Sequence, residues 1–395
     1  MTLECDILVI GGGPAGLAAA RAAALKGAKV ICIEKKEQIG KPVQCAEGIG
    51  TNFLHLLPFK IPPLLLRWPV SGYAFHLGDL SVVLKGKQFS GFSIDRWRVE
   101  QWLSREVIKG GGKVLSGSTL SHLNVKKNKI SASFTRMGEK KLIKSKKLIC
   151  ADGAHSLSAD LLGLYSSKRG SLGPIYTWEV HGARINQCNL EHLFLGSFAP
   201  TGYGYLFPKS KTVANIGVGA IHPRKPMEKY FDEFLQVPLV KKQVKNAKFI
   251  TEKSKDAAFG KLIDKWTLDN VLFAGDIATH NYKPFVEGFI PAMIAGHVAG
   301  NFAADNISFL EEDYRAAIYA SLPLLSESDD LGRLMFKIFK KKQKIQELLL
   351  FGLSSELFDR QYVTACLGLS SARLERRLRE RLLELSKLGR VKALV

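Results

Sequence analysis

Cys5-Asp-Ile-Leu-Val-Ile-Gly-Gly-Gly-Pro-Ala-Gly16 passes from an apolar run into a glycine cluster and then into an alanine-rich segment. Residues 5–10 read as a strand buried on both faces, because such strands carry continuous apolar residues instead of an alternation. Residues 14–25, rich in Ala with Leu on one face, read as the helix that follows, and residues 28–33 return as a second strand. This is a βαβ unit, the start of a doubly wound sheet. Within it Gly11 makes the tight turn, Gly13 lets backbone approach a pyrophosphate, and Gly16 lets the helix pack on the strand. Pro14 and Ala15 complete the cradle, whose helix N-terminus faces negative charge. Glu34, followed by Lys35 at the end of the second strand, is placed to accept ribose hydroxyls.

A glycine turn of this kind does not separate FAD from NAD. Two later strand ends do: Leu148-Ile-Cys-Ala-Asp152-Gly153 and Leu272-Phe-Ala-Gly275-Asp276. An acid at the second of these can hold the ribityl and pyrophosphate portion, so three strand ends together imply one long cofactor, FAD, lying across a sheet. An Asp-Gly pair on its own is ordinarily a plain turn, and only the agreement of all three implies FAD.

Between these landmarks the pattern changes more than once. Residues 61–84 read as Pro-rich loop and short strands, residues 95–109 as a helix with Trp97, Val99, Trp102, Leu103 and Val107 on its apolar positions, and residues 113–134 and 141–150 as strands. Strand-like runs dominate residues 161–259, including 176–185 and 212–218. One more strand at 271–274 and a helix at 288–305 close the first domain, and the remainder reads as helical. The expected fold is α/β (α+β overall): a Rossmann-like FAD-binding domain of residues 1–72, 90–160 and 260–305, a mainly antiparallel β-sheet substrate domain of residues 73–89 and 161–259, and a helical C-terminal region of residues 306–395.

The chain has 395 residues, 46% hydrophobic, enough for a large flavin domain and a smaller second one. Lys and Arg outnumber Asp and Glu by 57 to 36, a net charge of +21. That excess favours anionic partners, whether nucleic acid, acidic lipid headgroups, a phosphate-bearing substrate or an acidic carrier protein. The basic residues are spread without interleaved aromatics at any nucleic-acid motif, so nucleic acid is not an expected partner. The six cysteines are scattered without CxxC pairs, which argues against a metal site and for a reducing cytoplasm. No secretory signal is read at the start and no window approaches the roughly 18 apolar residues of a spanning helix, so the protein is expected in the cytoplasm or resting on a membrane surface. Leu374, Leu378, Leu382, Leu385 and Leu388 make a helical stripe with arginines between them. Such a stripe packs on its own protein, or lies on an anionic membrane.

The strand ends, together with Lys41-Pro-Val-Gln-Cys45-Ala-Glu47-Gly48, Asp95-Arg96, Ala199-Pro-Thr-Gly202-Tyr203-Gly-Tyr205-Leu-Phe207-Pro-Lys209 and Asn215-Ile-Gly217-Val-Gly219, resemble the FAD-dependent geranylgeranyl reductase family. That family includes the digeranylgeranylglycerophospholipid reductases and sits in the wider para-hydroxybenzoate hydroxylase-type group. The likeness runs from residue 1 to about residue 300, and its most particular parts are the Cys45 and Phe207-Pro208-Lys209 stretches. It implies reduction of carbon–carbon double bonds in a prenyl chain, with hydride from N5 of reduced flavin. It also implies that Arg96 holds the cofactor near its phosphates and ribityl chain, that Cys45 lies near flavin and substrate, and that Tyr203, Tyr205 and Phe207 line the substrate side.

Two features depart from the family. Where its members carry a Gly-rich turn after Gly-Asp, this chain has Gly275-Asp-Ile-Ala-Thr-His-Asn-Tyr-Lys-Pro-Phe-Val-Glu287-Gly288-Phe289, in which only Glu287 and Gly288 survive. Val286 and Phe289 are expected to make this loop bulkier and stiffer. Tyr205 stands where Trp is common. No second glycine fingerprint follows a strand, so electrons are expected from a transiently bound NAD(P)H or from a small carrier such as ferredoxin. The competing activity is an FAD-dependent monooxygenase of the same fold, although the halogenase Trp-x-Trp-x-Ile-Pro stretch is not present. A flavin-free basic binding protein is the third reading.

Overall fold

The computed structural model describes residues 2–126, 129–165, 172–306, 308–388 and 392–393. Five parallel strands form the heart of the first sheet in the order Val271–Phe273, Glu139–Cys150, Thr2–Ile10, Val30–Ile33, Lys113–Leu115. Thr267–Leu268 adds an antiparallel edge, and the Ser118–Lys126 and Lys129–Arg136 strands extend the sheet from Glu139–Cys150. The chain order turns back on either side of Thr2–Ile10, and at such a switch point the carboxyl ends of strands leave a crevice open for a ligand.

The register brings those ends level. Ile10 pairs with both Cys150 and Ile33, and Cys150 pairs with Phe273. Gly11, Glu34, Asp152 and Gly275 therefore emerge side by side. Behind them the helices Pro14–Leu25 and Phe289–Asp305 cross at close range, because Gly296 and Gly300 have no side chain to strike the carbonyl oxygens of Ala15 and Ala19. Both helices are apolar over most of their surface, as elements buried on several sides must be.

The second sheet has nine strands, running Lys248–Glu252, Leu172–His181, Val213–Gly219, Tyr203–Pro208, Leu190–Leu195, Gly72–Leu77, Leu80–Lys85, Lys392–Ala393, with Lys255–Ala258 also paired to Leu172–His181. All its pairings are antiparallel except that of Leu190–Leu195 with Gly72–Leu77. One face is covered by the helices Met227–Leu235 and Pro238–Val244, through Phe194, Leu206, Ile216 and Phe234. The strand-like reading of residues 161–259 passed over both. They are short, and an apolar run of Tyr230, Phe231 and Phe234 has no length in which to declare a period.

The opposite face packs Phe75, Leu77 and Leu193 against the helices Leu325–Phe339, Gln343–Ser354, Arg360–Cys366 and Ser371–Lys387. Leu374, Leu378, Leu382 and Leu385 are buried there, so the C-terminal stripe packs on its own protein. Leu388, one residue past the helix, is exposed instead. Among the described residues no helix is long and apolar enough to cross a membrane.

Candidate active site

Gly11 has φ +102°, a backbone state that side chains rarely adopt, and a side chain there would collide with Ala151. A side chain at Gly16 would overlap the carbonyl oxygen of Gly11, whereas the space beside Gly13 is open. The turn is thus packed on the protein side and clear on the side where the Pro14–Leu25 helix begins. Glu34 is buried, and its carboxylate accepts the N–H groups of Gly12 (2.6 Å) and Lys36 (2.9 Å), which lock the acid at the strand end. Lys35 beside it is exposed.

Asp152 behaves differently. Its Oδ1 accepts from Ser156 Oγ (2.6 Å) and Ser158 Oγ (2.7 Å), and its Oδ2 accepts from Ser158 N (2.9 Å). The carboxylate secures its own turn, and Gly153, at φ +84° with open space around it, leaves backbone to face a ligand. Gly275 repeats that conformation beside Ala15. Asp276 keeps a half-buried carboxylate, near Gly288, that makes no hydrogen bond to any described residue. An open glycine cradle at a helix start, a pinned acid and a second acid with spare acceptors fit the ADP and ribityl parts of FAD.

Next to this crevice Glu47 organises a buried ion network. It is 1% exposed, with φ 68°. Its Oε2 accepts from Lys209 Nζ (2.8 Å), Lys253 Nζ (2.6 Å) and Asn215 Nδ2 (3.1 Å), and its Oε1 accepts from Arg96 N (2.8 Å). Lys209 and Lys253 each also pair with Glu179, and Lys209 with Asp95. Burial alone pushes the Glu179 carboxyl up, but His181 and the two lysines outweigh it and hold it at about 2. Burial works against the Lys209 charge, and the carboxylates of Glu47, Glu179 and Asp95 more than restore it. The network ties the Cys45–Glu47 segment to three strands of the second sheet.

Arg96 opens the Arg96–Lys109 helix. Its Nε donates to the buried Glu100 at 2.5 Å, its guanidinium reaches the Gln44 carbonyl (3.2 Å), and it lies over the Phe289 ring at 5.2 Å. Burial disfavours its charge, yet Glu100 and Cys45 hold it firmly protonated. Cys45 Sγ in turn accepts the Glu47 N–H at 3.2 Å. Arginine and cysteine therefore stand together at the mouth of the crevice.

Facing them is one side of the second sheet. Tyr203, Tyr205 and Phe207 alternate along their strand and stack in a row, with ring centroids 6.1 and 5.0 Å apart. The Tyr205 hydroxyl bonds with Thr177, in room left by Gly217. The Tyr203 hydroxyl donates to the Phe285 carbonyl at 2.8 Å. Burial pushes both phenols well above their usual range.

The loop that departs from the family closes this side. Tyr282 and Glu287 exchange backbone hydrogen bonds of 2.8 and 2.9 Å, pinching off the turn between them. Lys283 is buried, its N–H bonded to Ser328 Oγ (2.7 Å) and its ammonium paired with Asp329 (3.1 Å). Phe285 packs on Tyr203 (5.4 Å) and Phe75 (5.8 Å). Val286, β-branched yet at φ 55°, is held in a conformation such residues avoid. The loop's bulk thus fills an apolar seam under the C-terminal helices. Glu287 precedes Gly288, the N-cap of the Phe289–Asp305 helix, and has one buried carboxyl oxygen unbonded among the described residues.

Two sequence profiles match the chain: an FAD binding domain over residues 6–55 and the geranylgeranyl reductase catalytic domain over residues 176–255. The digeranylgeranylglycerophospholipid reductase of Methanococcus vannielii is 30% identical over 376 residues, 85% of this chain and 95% of that protein. The chain belongs to the FAD-dependent geranylgeranyl reductase family. The Methanocaldococcus jannaschii digeranylgeranylglycerophospholipid reductase is also 30% identical, over 76% of this chain and 77% of its own length. Among solved structures, a geranylgeranyl bacteriochlorophyll reductase-like protein from Thermoplasma acidophilum has the same fold, with TM-score 0.79 at 22% identity over 96% of this chain and all of that one. The halogenase PltM shares the fold at TM-score 0.70 and 13% identity, covering 92% of this chain and 86% of its own. This family member is an FAD-dependent oxidoreductase.

In the reductase the glycine turn, Glu34, Gly153, Gly275 and Asp276 meet at one crevice, with Cys45 and Arg96 at its mouth and the Tyr203 to Phe207 row opposite. Glu287 and Gly288 sit where the closing loop meets the helix start. Reading the sequence missed Glu179 and Lys253, which complete the Glu47 network, and Glu191, buried on the strand beside the aromatic row. Of these only Glu191 carried a signal, as a lone acid in the apolar strand Leu-Glu-His-Leu-Phe-Leu.

Proposed function

We propose that this reductase saturates carbon–carbon double bonds of a prenyl lipid, the substrate class for which its 30% identical relatives are named. The observation that carries the reading is the aromatic row Tyr203, Tyr205 and Phe207 set opposite Cys45, a wall that is apolar at the reacting centre. A long prenyl chain gains roughly 0.8 kcal/mol per buried CH₂ against such a wall, so few polar contacts are needed. Gly11, Gly13, Pro14, Ala15, Gly16, Glu34 and Lys35 hold the adenosine and pyrophosphate half of FAD in this reading. Arg96, Gly153, Gly275 and Asp276 hold the ribityl part, the Asp152 carboxylate secures the turn beneath it, and Cys45, Glu287 and Gly288 border the ring.

When bound and reduced, FAD supplies a hydride from N5. The protein's own part is to place the alkene, exclude water and provide a proton. Residues 1–72, 90–160 and 260–305 take the cofactor role, residues 73–89 and 161–259 present the substrate wall, and residues 306–395 roof it. The electron donor is a transiently bound nicotinamide or a small acidic carrier drawn to the basic surface.

Dithionite-reduced protein, mixed without oxygen with a geranylgeranyl ether lipid, is expected to regain its oxidised flavin spectrum. Substrate-stimulated NAD(P)H oxidation that requires oxygen, with no anaerobic reoxidation, would instead establish the monooxygenase.

A further inference from the structure

The reduction described above needs a proton as well as a hydride, and one buried acid on the second sheet has no compensating partner among the described residues. Glu47 is matched by two lysines, Glu100 by Arg96, and Glu34 by two backbone N–H groups. Glu191 is 4% exposed, and its carboxyl makes no hydrogen bond or ion pair to any described residue. An ionised carboxylate in that position would lack any compensation for lost hydration, so the neutral acid is favoured.

Its place is fixed by strand register. Glu191 pairs with Tyr73, and two residues along its own strand Leu193 pairs with Tyr205. Side chains two apart share a face of a sheet, so Glu191 points to the same side as Tyr73, Tyr203, Tyr205 and Phe207. Its carboxyl rests against Gly48, where any side chain would run into Oε1. The acid is therefore pressed onto the segment that begins at Cys45, inside an otherwise aromatic wall.

We propose that Glu191 is the general acid of the reduction, giving its proton to the alkene carbon that does not receive the hydride. The carboxyl O–H bond breaks, the alkene's π pair forms the new C–H bond with that proton, and the hydride bonds to the other carbon. Reduced flavin is the reductant, the alkene is reduced, and the carboxylate left behind takes a proton from solvent before the next turnover. This assignment rests on the prenyl-reductase reading.

The other protic groups on this face are less suited. The Tyr203 and Tyr205 hydroxyls are committed to Phe285 and Thr177, and burial makes them weaker acids. Cys45 Sγ is an acceptor for the Glu47 N–H. Glu287 faces Glu191 from the helix start, where the N–H groups of Phe289 and Ile290 and the charges of Lys255 and Arg96 favour its ionised form. Burial raises it only to about 7. Glu191 feels burial first and Glu287 second, and stands at about 8, with Tyr73 and Tyr203 its other titratable neighbours. Glu287 has N–H donors and cations that steady its charge and Glu191 has none among the described residues, which leaves the proton on Glu191.

Infrared spectra of the FAD-loaded protein, titrated from neutral to alkaline pH, test the protonation directly. Wild type is expected to show a protonated carboxyl band with one component lost near pH 8, and Glu191→Gln to lack that component while keeping the Glu287 component lost near pH 7. In anaerobic mixing with geranylgeranyl lipid, Glu191→Gln should bind the lipid as wild type does but reoxidise about 100-fold more slowly or worse, a usual cost of losing a general acid. Its rate should also lose the alkaline fall seen in wild type. FAD content reports folding, and Glu191→Asp, which keeps the acid on a shorter arm, should recover part of the rate. A variant that matches wild type in rate and pH profile, or that retains the component lost near pH 8, overturns the assignment alone. Wild-type protein that no prenyl lipid reoxidises overturns the substrate reading and this assignment together.

Discussion

Glu47 shows how one side chain couples two parts of the site. Replacing it by Ala leaves Lys209 and Lys253 sharing only Glu179 and Asp95, so two buried ammonium groups lose their nearest counter-charge. Breaking a buried pair from one side costs about 3–5 kcal/mol. Glu47→Ala should therefore lower the stability in a urea titration by that amount and release FAD, whereas an exposed pair such as Lys26 with Asp305 should change neither when cut. Glu47 and Lys209 were both visible in the sequence as motif residues, but not as partners. The chain separates them by 162 positions, and Glu47 from Lys253 by 206, distances over which spacing carries no geometric information. Glu34 could be placed from sequence because its bonds run to Gly12 and Lys36 within one βαβ unit.

Elements were legible where a single pattern dictates them. The helix read at residues 14–25 is Pro14–Leu25, and the one read at 288–305 is Phe289–Asp305. That these two cross at contact distance was not legible, since it depends on Gly296 and Gly300 lying over Ala15 and Ala19. Gly300→Val would drive a side chain into the Ala19 carbonyl and Ala22, and overpacking of this kind costs about 1–3 kcal/mol. Because Ala15 and Gly16 open the same helix, the displacement should also weaken FAD binding, measurable as flavin fluorescence released on dilution. Gly368→Ala, with open space around it, should alter neither quantity. The closing loop was expected to be bulky and stiff. The loop buries Lys283 against Asp329 and packs Phe285 on Tyr203, partners in other elements that no local pattern names.

Across the whole molecule, titration links fold and site. Burial holds His76 and His280 at about 3, and lowers His192, which stacks on His76. A histidine depressed by folding contributes stability above its unfolded value near 6.5 that is lost as pH falls toward the folded value, about 1.4 kcal/mol per unit of pH for each. Glu191 and Glu287 act in the opposite sense: their folded values are raised to about 8 and about 7, so they favour the folded state at low pH and withdraw that support as pH rises. Thermal unfolding followed against pH should therefore show greatest stability near about pH 6, with a decline on both sides. The overall division into an FAD-type sheet and a second sheet followed from the sequence, and the leucine stripe was read there with two candidate surfaces, of which the protein's own covers Leu374 to Leu385. The roofing of the second sheet by the C-terminal helices did not follow, because the exposed faces of those helices carry the charge and their buried faces meet residues such as Phe75 and Leu193, more than 130 positions earlier. The most direct test of the whole account is the mass of a geranylgeranyl ether lipid recovered after anaerobic turnover with reduced protein. A prenyl reductase adds two hydrogens for each double bond reduced, in step with flavin reoxidised; lipid of unchanged mass, or a gain of oxygen that appears only in air, would overturn the prenyl-reductase reading.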